Sequence, residues 1–190
     1  MIGRLKVVTA PTAPAVSVAD AKSHLGVSHD ADDVRIGDLI ESATETVESF
    51  TGRQMMQATI DMYLDQFPSG RRIDLPRAPL SSVTSVKYQD LDDSQQTFAS
   101  SNYQVVTYDD VPGAVELNQD KQWESTYDKA DAVVVRFVAG YGSDSLSIPH
   151  ALRQAVLLFV EAGYDSLSDR KATTQAAELL MWPRRLASVG

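Results

Sequence analysis

The chain has 190 residues, no cysteine, and 26 acidic against 17 basic side chains, for a formal net charge of −9. Without cysteine there is no disulfide framework, thiolate metal site or cysteine nucleophile, and the acidic balance gives poor electrostatic grounds for gripping phosphates. No apolar run of about 18 residues is present to span a bilayer, and residues 1–14 lack the continuous apolar stretch of a signal peptide, so the expectation is a soluble protein made in the cytoplasm, with no membrane partner.

Pro11 and Pro14 extend the opening segment into an arm. Ser17 then reads as the N-cap of a short helix that runs through Leu25 and is closed by Gly26. A second helix is expected to start near Asp30 to Asp33, whose carboxylates suit the positive end of a helix dipole, and to stop at Gly52. Within it Ile36, Leu39, Ile40, Ala43, Val47 and Phe50 keep the i, i+3/4 spacing of one buried face, while Asp38, Glu41, Glu45 and Glu48 fall on the opposite side. Such an acidic stripe is ordinarily a solvated helix face. Arranged inward around a channel, it would let DNA pass without sticking.

From Gln57 the period changes to that of strands. Residues 59–67, 71–75 and 83–88 are rich in β-compatible side chains. Between the last two, Leu75-Pro76-Arg77-Ala78-Pro79-Leu80 cannot continue a ladder, because its two prolines lack donors. Val83 and Val86 stand three apart, which breaks strict alternation and points to a bulge. Further strands are expected at 96–99, 103–107 and 114–117, the last after a Pro112-Gly113 turn. The strongest strand is 132–138, whose Val133-Val134-Val135 run is apolar on both faces, as in a strand covered on two sides.

Pro149 suits the first turn of a third helix, expected to reach about Leu167. Leu152, Ala155, Val156, Phe159 and Val160 form its face, and Leu157 and Leu158 widen the stripe enough to suggest a subunit contact or a covering module. A last helix, about 173–181, ends at Trp182-Pro183. The fold class is therefore α+β: a helical body of N- and C-terminal helices packed together (1–56 and 139–190) with an inserted antiparallel β-rich module (57–138).

Chemical signatures fail in turn. Ser145 occupies the third glycine position after Gly140-Tyr141-Gly142, so a dinucleotide cradle gives way to a turn. Ser168-Asp169-Arg170-Lys171 lacks the companion motifs of a Ser-x-x-Lys enzyme, and Asp30-Ala31-Asp32-Asp33 lacks the glycine and later ligands of a calcium loop. His24, His29 and His150 have no metal-ligand spacing. Asp109, Asp110 and Glu116 read as turn formers rather than a glycosidase pair, and Trp123, Tyr127 and Tyr103 could make a sugar-stacking platform. No cofactor or catalytic residue is expected.

Val18-Ala19-Asp20-Ala21-Lys22-Ser23-His24-Leu25, the helix end Val47-Glu48-Ser49-Phe50-Thr51-Gly52-Arg53, the segment from Ile73 through Tyr88 with its Leu-Pro-x-x-Pro-Leu pattern, Val133 to Gly142 and Ile148-Pro149-His150-Ala151-Leu152-Arg153-Gln154-Ala155 follow one another in an order and spacing that resemble the head-tail connector (adaptor) proteins of tailed bacteriophages, in particular the family named after gp8 of phage phiE125. The resemblance implies a structural subunit of the virion neck without a reaction of its own. It would form a homo-oligomeric ring of about twelve copies on the portal protein, extend the DNA channel and offer a surface to tail completion or tail proteins. DNA would pass without specific binding. Because the carboxyl-terminal segment of such adaptors often docks on the portal, that role falls on Leu179, Leu180, Trp182, Arg184, Arg185 and Leu186, with Asp38, Glu41, Glu45 and Glu48 facing the channel and Leu157 and Leu158 at a subunit contact. The rival from another class is a small β-rich carbohydrate-binding or glycosidase module.

Overall fold

The computed structural model describes residues 3–108, 111–164 and 170–186. The chain divides into two compact units, one formed by Met1–Ala10 with Gln57–Gly140, the other by Pro11–Met56 with Tyr141–Gly190.

The first unit is two antiparallel sheets around one apolar core. The larger has the order β1-β2-β8-β4-β5, the smaller β3-β7-β6, from strands β1 (Arg4–Thr9), β2 (Ala58–Leu64), β3 (Arg72–Leu75), β4 (Leu80–Gln89), β5 (Gln95–Phe98), β6 (Tyr103–Val106), β7 (Gly113–Leu117) and β8 (Val133–Ala139). Period-two alternation decides which face is buried. Along one cross-strand row Leu5 stands opposite Met62, Met62 opposite Val135, Val135 opposite Val86 and Val86 opposite Phe98. Met62, Val135, Val86 and Phe98 of this row meet Ile73, Leu75, Tyr103, Val115 and Leu117 of the smaller sheet in a single cluster, while Leu5 at the edge is exposed. Phe67, Tyr88, Phe98 and Trp123 close one end, Phe67 and Trp123 stacked with centroids 4.8 Å apart.

Two features of β4 follow from its sequence. The register against β8 shifts between Leu80 and Ser82 and again between Val83 and Ser85. The second shift gives Thr84 no partner, so Val83 and Val86 both face the core although they are three apart. The chain then leaves the smaller sheet for the larger through Pro76 to Pro79, with Arg77 at a φ of 78° and Gly140 N donating to the Pro79 carbonyl at 3.0 Å.

Two expectations are corrected here. The opening segment is no arm of the helical body: Arg4–Thr9 is the edge strand β1, paired with β2. Its guanidinium anchor, Arg4, donates to Asp65 at 2.8 Å and Asp131 at 2.5 Å, beyond the ends of β2 and β8. Strand β8 is not covered on two sides: Val133, Val135, Phe137 and Ala139 are buried, but Val134, Arg136 and Val138 are half-exposed. Its valine run reflects a central position in the sheet rather than double burial.

The second unit packs four helices: α1 (Val18–Leu25), α2 (Asp33–Thr51), α3 (His150–Tyr164) and α4 (Arg170–Met181). Ser17 Oγ accepts from Asp20 N at 3.0 Å to cap α1, which ends at Gly26 with φ 70°. Helix α2 ends at Gly52 with φ 72°. Asp32 holds its N-cap position without a side-chain capping bond, because its carboxylate is turned to accept from the Tyr164 hydroxyl at 2.7 Å. Helix α3 packs against α1, α2 and α4, and Leu152, Ala155, Val156 and Val160 are buried. The stretch expected to carry α3 on to Leu167, the Ser168-Asp169 half of the Ser-x-x-Lys pattern and Asp109-Asp110 lie outside the described residues.

Candidate functional site

The residues singled out in the sequence form surfaces rather than a cleft. On α2, Asp38, Glu41 and Glu45 are exposed and have no ion pair among the described residues, but Glu48 departs from the stripe. Its carboxylate accepts from Met55 N at 2.7 Å and Gln54 Nε2 at 2.9 Å. It fixes the turn that follows α2, which removes it from the free acidic face.

At the carboxyl end, α4 is followed by a 3₁₀ turn (Trp182–Arg184). Leu179 is 68% exposed and Trp182 57%, while Leu180, Arg184 and Leu186 are half-buried. This segment is held on the end of α2. Leu186 N donates to the Thr51 carbonyl at 2.9 Å, Arg53 Nε donates to the Arg184 carbonyl at 2.6 Å, and Arg53 also donates to the Tyr141 hydroxyl at 3.1 Å. The Phe50 and Trp182 rings meet edge to face at 6.0 Å, with the Arg185 guanidinium 5.4 Å from Phe50 and 5.5 Å from Trp182. Two of the six proposed docking residues, Trp182 and Arg185, thus share one aromatic and cationic surface, and Arg184 and Leu186 hold the segment through their backbones. Arg53, buried to 2% exposure, organises it and was missed in the sequence, where a lone arginine after a helix end carries no signal.

Leu157 and Leu158 are half-buried against the helical core. Helix α3 has three helix neighbours within the chain.

A second charged surface was also missed. On the face of the larger sheet away from its core, one cross-strand row reads Arg4, Tyr63, Val134, Lys87 and the next Lys6, Asp61, Arg136, Ser85. Asp61 receives two hydrogen bonds from Arg136, at 2.7 and 2.8 Å, and this carboxylate raises the Arg136 pKa. Elsewhere, hydrogen bonds from the Asp131 backbone and then Arg4 hold Asp65 below the usual carboxylate range, and Asp30, then Asp33, raise the Lys22 pKa.

The sugar platform does not assemble. Trp123 spends one face on Phe67 and donates its indole N–H to the Gly70 carbonyl at 2.8 Å; Tyr103 is buried, and Tyr127 is exposed beside Lys129. Among the described residues no three His, Asp or Glu side chains converge as metal ligands, and His24 lies 2.9 Å from Glu161. No helix of the described residues is long and apolar enough to cross a membrane.

An α+β chain whose unpaired charges stand on outer surfaces rather than in a cleft has the construction of an assembly subunit. The family model of phage gp6-like head-tail connector proteins matches residues 15–121, more than half of the chain, and the protein belongs to that family. No curated protein matches the chain. Among solved structures it is similar to a chain of the neck of an empty gene transfer agent (GTA) particle computed with C6 symmetry, at 22% identity and TM-score 0.83, covering 98% of this chain and 97% of the other. Chains from the virion of a native GTA particle (23% identity, TM-score 0.81) and from a native GTA neck computed with C12 symmetry (22%, 0.78) match over the same shares. The head-tail connector expected from the sequence is thus the family found, with the gp6-like model as the matching description.

Proposed function

We infer that the chain is a structural subunit at the head-tail junction of a tailed, phage-like particle, arranged as a homo-oligomeric ring that continues the DNA channel. Family membership carries this reading, and a fold shared almost end to end with chains of particle necks supports it. The net charge of −9 suits a conduit that DNA crosses without specific binding.

In this reading the carboxyl-terminal surface docks on the portal protein. Leu179 and Trp182, the most exposed of its apolar side chains, are the anchors, since a buried aromatic with neighbouring arginines is the usual centre of an interface. The opposite end of the ring receives tail completion or tail proteins. The test is co-purification of the chain with its particle's portal: Leu179→Asp with Trp182→Ala should abolish it while leaving the fold intact, and unchanged co-purification would reject the docking assignment.

A further inference from the structure

Two uncovered surfaces of opposite charge lie on this chain. The outer face of the larger sheet presents Lys6 and Lys87 beside two cations that already have partners, Arg4 on Asp65 and Asp131 and Arg136 on Asp61. The core shared with the smaller sheet lies on the other face. Lys6 is exposed, the Arg136 side chain is 43% exposed, and neither lysine has an ion pair among the described residues. In a chain of net charge −9 Lys6 and Lys87 are the cations of this face left unpaired among the described residues, with Tyr63, Val134 and Val138 half-exposed among the charges. The complementary surface is the exposed face of α2, where Asp38, Glu41 and Glu45 stand without ion pairs among the described residues.

Resting on the ring reading above, we propose that the basic sheet face of one copy receives the acidic α2 face of the next, forming the contact between neighbours in the ring. Seven residues of helix from Asp38 to Glu45 rise about 10 Å, and Lys6 on β1 and Lys87 on β4 stand three strand spacings apart across the sheet, about 14 Å. Because the patches are different parts of one chain, the contact is head-to-tail, which is the kind that generates rings when the rotation closes. Charge neutralised on both sides sets register and rejects the reverse docking, in which like charges would meet. Duplex DNA is the weaker occupant of the sheet face: Arg136 is already neutralised, and few cations remain to offset the acidic whole. The assignment also moves the α2 carboxylates from the channel wall to a subunit boundary.

The absence of native cysteine makes the test direct. Two singly substituted chains, Glu41→Cys and Lys87→Cys, are co-expressed during particle assembly, and purified particles are oxidised mildly. The proposal expects a disulfide-linked pair of chains well above the yield from Glu41→Cys with Asp92→Cys on the β4–β5 turn. In parallel, Glu41→Lys/Glu45→Lys should lower incorporation into particles at least tenfold, and co-expression with Lys6→Glu/Lys87→Glu should restore it. Particles that contain both cysteine chains but link them no better than the control overturn the contact while leaving the connector role standing. Particles that lack the unsubstituted chain altogether overturn the connector role itself. Charge-reversed partners that fail to rescue each other, with Lys6→Glu/Lys87→Glu losing retention of duplex DNA instead, would assign the sheet face to nucleic acid and reject the proposal.

Discussion

Arg53 Nε donates to the carbonyl oxygen of Arg184 across 131 residues of chain at 2.6 Å, and the arginine itself is 2% exposed. A buried cation spent on a backbone carbonyl fixes the carboxyl-terminal segment to the end of α2. Arg53→Ala removes this bond and the one to Tyr141, and should cost about 2–3 kcal/mol. Arg53→Lys, with a point charge in place of the planar fork, should recover only part. Urea unfolding measures the cost, and Trp182 fluorescence reports the release of the segment.

The Asp61–Arg136 pair should respond asymmetrically. Asp61's side chain is 5% exposed and Arg136's 43%. Deleting the arginine strands a buried carboxylate, at about 3 kcal/mol. Deleting the carboxylate leaves a guanidinium that water can reach, at a smaller cost. Denaturant midpoints of Arg136→Ala and Asp61→Ala decide it; equal losses would mean that the pair is worth no more than a surface contact.

Asp90 governs the β4–β5 turn. Hydrogen bonds from Gln96, then from the Ser94 and Asp92 backbones, hold its pKa below the ordinary value of 3.8. A depressed carboxylate pKa contributes stability above its unfolded value, and that contribution is lost as pH falls through the folded one. Asp90→Ala should therefore lower the denaturant midpoint near neutral pH, with the difference from the native chain shrinking as pH drops below 3.8. A difference independent of pH would assign the effect to turn geometry alone.

Gly113 of β7 lies directly against Leu80 of β4. A Cβ there would sit 2.5 Å from the Leu80 Cβ, which no rotamer change relieves. Gly113→Ala should cost about 2–3 kcal/mol by forcing the core apart, visible as a lowered Tm; an unchanged Tm would mean that β7 shifts freely.

The helices were legible because their end signals are local: Ser17, Gly26 and Gly52 each do what their residue type suggests. The bulge at Thr84 was legible too, since inward valines three apart admit few other geometries. Strand β1 was hidden by the prolines that follow it, although Arg4, Leu5, Lys6 and Val7 alternate. Its partner β2 lies over fifty residues away, and pairing at that range leaves no local trace. The same holds for the basic sheet face, whose members come from β1, β4 and β8 and meet only through register. Glu48 looked like its stripe-mates because helical spacing gives a direction, not a partner.

The central claim is that this chain joins head to tail, and electron microscopy of particles made after deletion of its gene tests it most directly. The account predicts heads without tails, with tailed particles restored when the chain is supplied in trans. Normal numbers of tailed, infectious particles in its absence would contradict it.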